Sequence, residues 1–492
     1  MLMCLTAAQA QNAIERASKH IQYDAEAQVS VSNGQTPLWL TANKYGLSSV
    51  DGSNGYLRAG ITRNAATDSL HKWRIGYGID LAVGYNHQST ARVQQLYADF
   101  EYRLVRLSIG AKEQPMQLKK QRLSSGSQTL GINACPVPEI RFELPEYWSI
   151  TGHSAWASIK GHIGYGMLTD GRFQRDYVAQ DQHYARHALY HSKAGYLKLG
   201  NEKRFPVTFE GGLEMACLFG GTAYNAVFDA DGTAKPIKMG HSLKDFVDAT
   251  FGTGGDATDG AGYANATGNS LGSWLMRLNY HGNGWGASVY VDHFFEDHSQ
   301  MFLQYGWKDA LLGVELTLPD NPVAKHIVYE HISTLDQSGP VYHDHTEAIP
   351  DQISGQDNYY NHMLYAGWQH WGQAIGNPLF TSPLYRGDGS LEFTDNRFTA
   401  HHFGIDGTPT PWINYRILYS RERSKGSCVL PLASPRSTHS LLAEVGFTPE
   451  RIGHLNTRGW SVTAAFGMDH GRLLGNNTGF QLTIAKHGLL TH

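Results

Sequence analysis

From Trp73 to Tyr85 the chain reads WRIGYGIDLAVGY. Trp73, Ile75, Tyr77, Ile79, Leu81, Val83 and Tyr85 are large and apolar, while Arg74, Gly76, Gly78, Asp80, Ala82 and Gly84 are small or polar. A period of two is a β-strand with two unlike faces. The pattern recurs nearly everywhere after residue 55. In SWLMRLNYHGNGWGASVYVDHFF, Trp274, Met276, Leu278 and Tyr280 share one face. Gly282-Asn283-Gly284 turns the chain, and Trp285, Ala287, Val289 and Val291 return on that same face. Arg277, Asn279, Ser288 and Asp292 take the other. Ala157 to Met167 repeats the scheme, as does the C-terminal run GFQLTIAKHG.

The strands are too long for a soluble sandwich, whose strands average about 5–6 residues. At about 3.4 Å per residue and a tilt of about 40°, Trp73 to Tyr85 rises roughly 34 Å, more than the ~25 Å apolar band of an outer-membrane barrel. Aromatics bracket the strand, as they do at membrane interfaces. Its polar face carries glycine and charges of the buried type (Asp80, and elsewhere Arg106 and Lys112), not the charged carpet of a solvated sheet. These features predict an all-β fold, a transmembrane antiparallel β-barrel. Trp73, Ile75, Ile79 and Val83 should then face lipid, with Arg74 and Asp80 facing the lumen.

Composition agrees. Of 492 residues only 17% are charged, against roughly 25% in soluble domains. Mean hydropathy is nevertheless −0.37, and there is no apolar run of about 18 residues, which excludes a helical membrane protein. Glycine (54), Tyr (26) and Trp (11) are in excess, as suits a barrel. A net charge of −4 leaves no basic footprint for nucleic acid. Ala8-Gln9-Ala10 reads as a cleavage site, so residues 1–10 are expected to be a truncated signal-peptide remnant, with the mature chain starting near Gln11. Residues 11–50, with helical character from Ala13 to Tyr23 and the unusual TPLWLTANKYGL, are expected to form an N-terminal periplasmic helical or plug segment, and 51–492 the barrel. Cys135, Cys217 and Cys428 make no disulfide framework.

Four local patterns bear on chemistry. Gly268-Asn269-Ser270-Leu271-Gly272 matches a nucleophile elbow, but a Gly-rich loop precedes it and a strand follows, where the motif needs strand then helix. His343 and His345 have metal-ligand spacing but lack further ligands, and no metal is expected. Glu296 and Asp297 are strand neighbours that point to opposite faces, so they cannot flank one glycosidic bond. The stretch DNYYNHMLYAGWQHWGQAIG, Asp357 to Gly376, is the densest aromatic and polar cluster. Sugars stack on rings beside amides and carboxylates. Asp357, Tyr359, Tyr360, Asn361, His362, Trp368 and Trp371 are therefore the candidate polysaccharide-binding residues, with an aromatic girdle beside a strand end as the competing reading. No catalytic constellation and no cofactor is expected.

The chain also resembles one family, the Wzi-type capsule assembly proteins of Gram-negative outer membranes. The likeness runs from about Thr36 to the C-terminus. It rests on TPLWLTANKYG, LSSGS (Leu123 to Ser127), NACPVPEIR (Asn133 to Arg141), GGLEMACLFGG (Gly211 to Gly221), GNSLGS, HFFEDHS, VYEHISTLDQSGP (Val328 to Pro340), the Asp357 to Gly376 cluster and DNRFTAHHFGIDG (Asp395 to Gly407). It departs from the family pattern at Cys135, where Arg is usual, and at Met215 and Phe219, in place of His and Trp. The resemblance implies a monomeric barrel of about 18 strands in the outer membrane. It also implies a non-catalytic, lectin-like role in binding capsular or other surface polysaccharide and assisting its assembly or attachment. The alternative is a porin for small or oligosaccharide solutes.

Overall fold

A computed structural model describes residues 15–229, 231–252, 268–296, 308–342 and 353–491. Its main sheet has 18 strands. In chain order they are β1 (Gln22–Asn33), β2 (Ser53–Arg63), β3 (Trp73–Tyr85), β4 (Ala91–Tyr102), β5 (Val105–Ala111), β6 (Glu139–Ser149), β7 (Ala157–Met167), β8 (Leu189–Leu199) and β9 (Val207–Phe219). The second half adds β10 (Asn269–His281), β11 (Gly286–Glu296), β12 (Ala310–Thr317), β13 (His326–Ser333), β14 (Phe398–Thr410), β15 (Ile413–Gly426), β16 (Pro431–Phe447), β17 (Trp460–Gly471) and β18 (Asn477–Leu489). Each pairs antiparallel with the next, and β1 returns to pair with β18 from Gln22↔Leu489 to Asn33↔Thr478. Closure leaves no edge, so strand backbone groups are paired within the sheet, as a bilayer demands. The protein is an outer-membrane β-barrel. No described helix is long and apolar enough to cross a membrane; the strands do so.

The alternation holds. On β3, Ile79, Leu81 and Val83 are 44%, 51% and 56% exposed on the outer wall, while Asp80 and Ala82 are 5% and 3% exposed inside. Exposed Trp73, Trp148, Trp156, Trp285, Trp412 and Trp460 all sit at the same end of their strands, forming an interfacial girdle. The glycine and tyrosine excesses share one cause. A Cβ on Gly78 would lie 2.4 Å from the ring of Tyr97 on β4, one on Gly212 2.3 Å from Tyr196, and one on Gly313 2.1 Å from Tyr290. Lumen-facing glycines therefore leave room for a neighbouring strand's ring to lie flat over them. Gly78 is thus not the tolerant position that alternation alone suggests.

The barrel starts earlier than expected. Gln22–Asn33 is a full wall strand, not part of an N-terminal segment, because its outward Val29 and Val31 and its pairing with β18 complete the cylinder. Among the described residues that precede β1, 15–17 are helical.

The two ends differ. At the girdle end the turns are tight, such as Tyr102 to Val105 and Thr410 to Ile413. At the other end the chain runs through 34–52, 112–138, 168–188, 220–268 and 334–397 before rejoining the wall. Outer-membrane barrels turn their long loops to the cell surface, which orients the molecule. Segments 34–52, 112–138 and 357–396 fold back into the lumen. They include the helix α1 (Leu38–Thr41), wholly buried. Leu38, Trp39, Leu40, Leu123, Tyr359, Trp368 and Phe380 form one continuous core with the inward wall residues Leu271, Phe294, Leu311, Val328 and Leu418. The middle of the lumen is filled by a packed plug.

Inward carboxylates hold the plug. Lys119 pairs with Asp292 of β11 at 2.7 Å, both buried, and Asp292 also accepts from the Gln128 amide at 3.1 Å. Glu330 of β13 accepts from the Ser124 hydroxyl (2.6 Å), the Ser125 amide (2.8 Å) and hydroxyl, and Tyr290 (2.5 Å). The amide of Leu38 donates to Asp469 of β17 at 3.1 Å. Elsewhere the inner wall is lined by ion pairs, such as Arg58 with Asp80 and Arg106 with Glu143. These are the buried charges that the strand pattern predicted.

Candidate functional site

The Asp357 to Gly376 cluster belongs mostly to the plug. Tyr359, Tyr360 and Trp368 are 0% exposed. The Tyr359 hydroxyl donates to Asp309 at 3.0 Å, and its ring lies edge-on to Phe294 at 4.8 Å. Burial raises the pKa of the Asp309 carboxyl. The amide of Tyr360 donates to Glu296 at 2.5 Å, its hydroxyl donates to the Gln128 carbonyl, and its ring stacks on Phe380 at 3.9 Å. Gly376 has no Cβ because one there would strike that hydroxyl. Trp368 donates to the Thr129 carbonyl at 3.2 Å. Asn361 bridges to the backbone of Phe393, and His362 accepts from the Leu364 amide at 3.0 Å. The amide of Asp357 donates to the Gln337 carbonyl at 2.8 Å. So Tyr359, Tyr360 and Trp368 are not ligand rings in this structure. Their aromatic density packs the plug, and neither a girdle nor an exposed platform describes them. Ring burial and polar satisfaction share one purpose here, since each hydroxyl or indole N–H meets a backbone or carboxylate partner.

Trp371 is different. Gln369–His370 pairs with Gln373–Ala374 as a minute hairpin, and Trp371 and Gly372 form its two-residue tip with φ of 57° and 76°. That is the primed turn a two-residue loop demands. Glycine suits it, but a tryptophan at positive φ is an outlier that costs energy. The indole is thereby held half-buried at the loop end. It lies 5.6 Å from the ring of Phe173, and the Arg92 guanidinium stands 5.4 Å over it. Phe173 and Tyr177 stack on one another at 5.3 Å along the helix α2 (Gly171–Tyr177). Beside them stand exposed Arg172, Arg175 and Asp176. A further stacked pair, Tyr184 and Tyr224 at 4.9 Å and 10°, lies on the small sheet of the same loops. The aromatic surface is therefore built from three loops. Sequence reading found only Trp371. The four-residue spacing of Phe173 and Tyr177 in GRFQRDY was the available signal, since it places two rings on one helical face.

Below the plug, between it and the β5–β9 wall, is a cavity of about 240 Å³. Arg106, Arg141, Lys160, Glu143, Glu214 and Tyr196 line it. Lys160 lies 4.7 Å over Tyr147 and 5.1 Å over Tyr196. One carboxylate oxygen of Glu214 is buried with no hydrogen-bond partner among the described residues.

Of the other patterns, Ser270 is the second residue of β10, buried on the face that carries Trp274, with strand after it and no elbow. Glu296 is taken up by the plug. The signal remnant, the His343 and His345 pair and Asp297 lie outside the described residues.

No family model matches the chain, and no curated protein matches it in sequence. Its architecture is known, however. It resembles Wzi of Escherichia coli, an outer membrane protein described as involved in group 1 capsule assembly and as a carbohydrate binding β-barrel, with a TM-score of 0.57 at 11% identity, over 96% of this chain and 86% of that one. OccK2 and OpdL of Pseudomonas aeruginosa align with TM-scores of 0.48 and 0.46 at 6% and 10% identity, each over 96–97% of this chain and 99% of theirs. At such identities the likeness speaks to the outer-membrane barrel fold.

Proposed function

We propose that this protein is a non-catalytic polysaccharide-binding barrel of the capsule-assembly kind, holding a surface glycan at its loop end as a monomer. The observation that carries this reading is Trp371. An indole held at positive φ on a hairpin tip, flanked by the rings of Phe173 and Tyr177 and by Arg92, Arg172 and Asp176, offers stacking and hydrogen-bonding groups together at the cell-surface face. The strain persists because the Trp371 amide is tied to Asp170 at 3.0 Å. Single sugar contacts of this kind are weak, and a long polymer gains avidity from its repeats. The filled lumen favours this reading over a diffusion porin.

The test is binding of capsular polysaccharides to detergent-purified protein, beside a conductance measurement. Replacing Trp371 and Tyr177 together by Ala should weaken glycan binding at least about tenfold, the worth of ~1.4 kcal/mol, with heat-modifiable migration unchanged. Undiminished binding in a folded variant, or a wild type that binds no glycan and conducts steadily, would overturn the proposal.

A further inference from the structure

The outer wall of the second half of the barrel carries a feature that glycan binding does not use. The register sets His331 opposite His401, His401 opposite Arg421, Arg421 opposite His439, and His439 opposite His470. These residues have the outward parity of Tyr329, Phe403 and Tyr419, which are 44%, 38% and 37% exposed. One lateral row of imidazole and guanidinium groups therefore crosses five adjacent strands, β13 to β17. Arg423 and Lys425 extend it upward along β15, also exposed. The acidic residues of these strands that lie nearby, Glu330, Glu422 and Asp469, are buried on the lumen side. Among the described residues, Arg421, Arg423 and Lys425 make no ion pair.

The height of the row is informative. The row directly beneath it is Tyr329, Phe403, Tyr419 and Leu441, paired across the same strands. Along β15, Trp412 of the girdle and Arg421 are separated by nine residue steps. At about 3.4 Å per step and a tilt of about 40°, that is a rise of roughly 23 Å, close to the ~25 Å apolar band. The row, with Arg421 at its centre, thus stands where the band ends on the cell-surface side. The hydroxyls of Tyr329 and Tyr419 reach up to His401 Nδ1 at 2.8 Å and His439 Nδ1 at 2.7 Å, which fixes both imidazoles along the row.

We infer that this row is a binding site for the phosphorylated headgroup of an outer-leaflet glycolipid. An unpaired Arg fork matches phosphate geometry, the imidazoles add donors, and the ring row below offers apolar surface to acyl chains. A protein partner would not require cations aligned with the membrane boundary, whereas a lipid headgroup does.

Native mass spectrometry of the full-length protein in detergent, titrated with bis-phosphorylated lipid A, tests the site. Two basic side chains at a membrane surface are each worth a factor of about five, so Arg421→Gln with Arg423→Gln should weaken lipid A binding roughly 25-fold. Dephosphorylated lipid A should bind the wild type no better than phosphorylated lipid A binds the variant. Inorganic phosphate at millimolar concentration should not displace the lipid. Arg451→Gln with Arg458→Gln removes the same charge at the girdle end and should leave lipid binding unchanged. An equal loss in both double variants would reduce the effect to net charge and overturn the site, as would undiminished binding in a folded Arg421, Arg423 variant. Displacement by free phosphate would overturn the lipid assignment. Should the arginine variant misfold, His401→Gln with His439→Gln serves in its place, with a several-fold loss expected and no loss refuting the row.

Discussion

Glu330 offers the sharpest test of the plug. Its carboxylate is wholly buried on β13 and accepts from two serine hydroxyls and one amide of the plug and from Tyr290 of the wall. Replacement by Leu removes the shared acceptor. The hydroxyls can rotate towards other partners, but the Ser125 amide cannot, and an unsatisfied buried donor costs about 1–3 kcal/mol. Hydrogen bonds to a charged group are worth about 1.5–3 kcal/mol each, and relief of the carboxylate's own desolvation offsets part of their sum. A net loss of about 3–5 kcal/mol in plug docking follows. With a tenfold change in population per ~1.4 kcal/mol, the undocked plug becomes about a hundred- to a few thousand-fold more populated. In planar bilayers the wild type should therefore be silent or nearly so, while Glu330→Leu should show channel openings. Glu450→Gln, an exposed carboxylate at the girdle end, should behave as wild type. Steady wild-type current at the level of an open barrel would refute the plug. A silent Glu330→Leu with an unchanged denaturation profile would refute the role assigned to the carboxylate.

Further outcomes follow from individual positions. Ile79→Arg places a charge on the outer wall and should cost about 2–4 kcal/mol near mid-bilayer, read as a lowered folding yield in vesicles; tolerance there would count against membrane contact. Gly78→Ala, though smaller in chemistry, should also destabilise, because its methyl group must displace the Tyr97 ring, and Tyr97→Ala should relieve that added cost. Trp368→Ala should cost about 3–5 kcal/mol as a core truncation and shift the unfolding midpoint, unlike Trp371→Ala, which should chiefly affect ligand binding. Burial lowers the pKa of Lys44 in the plug to about 8, against about 10.4 in an unfolded chain. Between those values the unfolded state holds more protons, so stability should rise as pH goes from about 8 to 10.5. Lys44→Met should lack that increment when denaturation midpoints are compared at pH 7.5 and 10.

The membrane-facing wall was legible because its determinant is local. A period of two with one apolar face, sustained over a strand as long as Trp73 to Tyr85, leaves that face nothing but lipid to meet, and the strand behaves as its alternation requires. The N-terminal boundary was misplaced although Gln22–Asn33 alternates in phase, with Tyr23, Ala25, Ala27, Val29 and Val31 against Asp24, Glu26, Gln28 and Ser30. Its apolar face is short and built partly of alanine, and only pairing with β18, far away in sequence, shows that it closes the wall.

The candidate site divides the same way. Composition alone could flag Asp357 to Gly376 as ring-rich. It could not say that Tyr359, Tyr360 and Trp368 fill the lumen while Trp371 is held out at a hairpin tip, because inside and outside reverse once a chain folds back into its own barrel. A ring beside an amide reads alike in a sugar site and in a plug held by Glu330, Asp292 and Asp309. Sequence by itself determined the outer-membrane wall, since each strand's faces are fixed by its own side chains. Tertiary structure alone decided what fills the barrel, which rings stay accessible, and that His331, His401, Arg421, His439 and His470 form one row. Those outcomes depend on contacts between segments that no local period encodes.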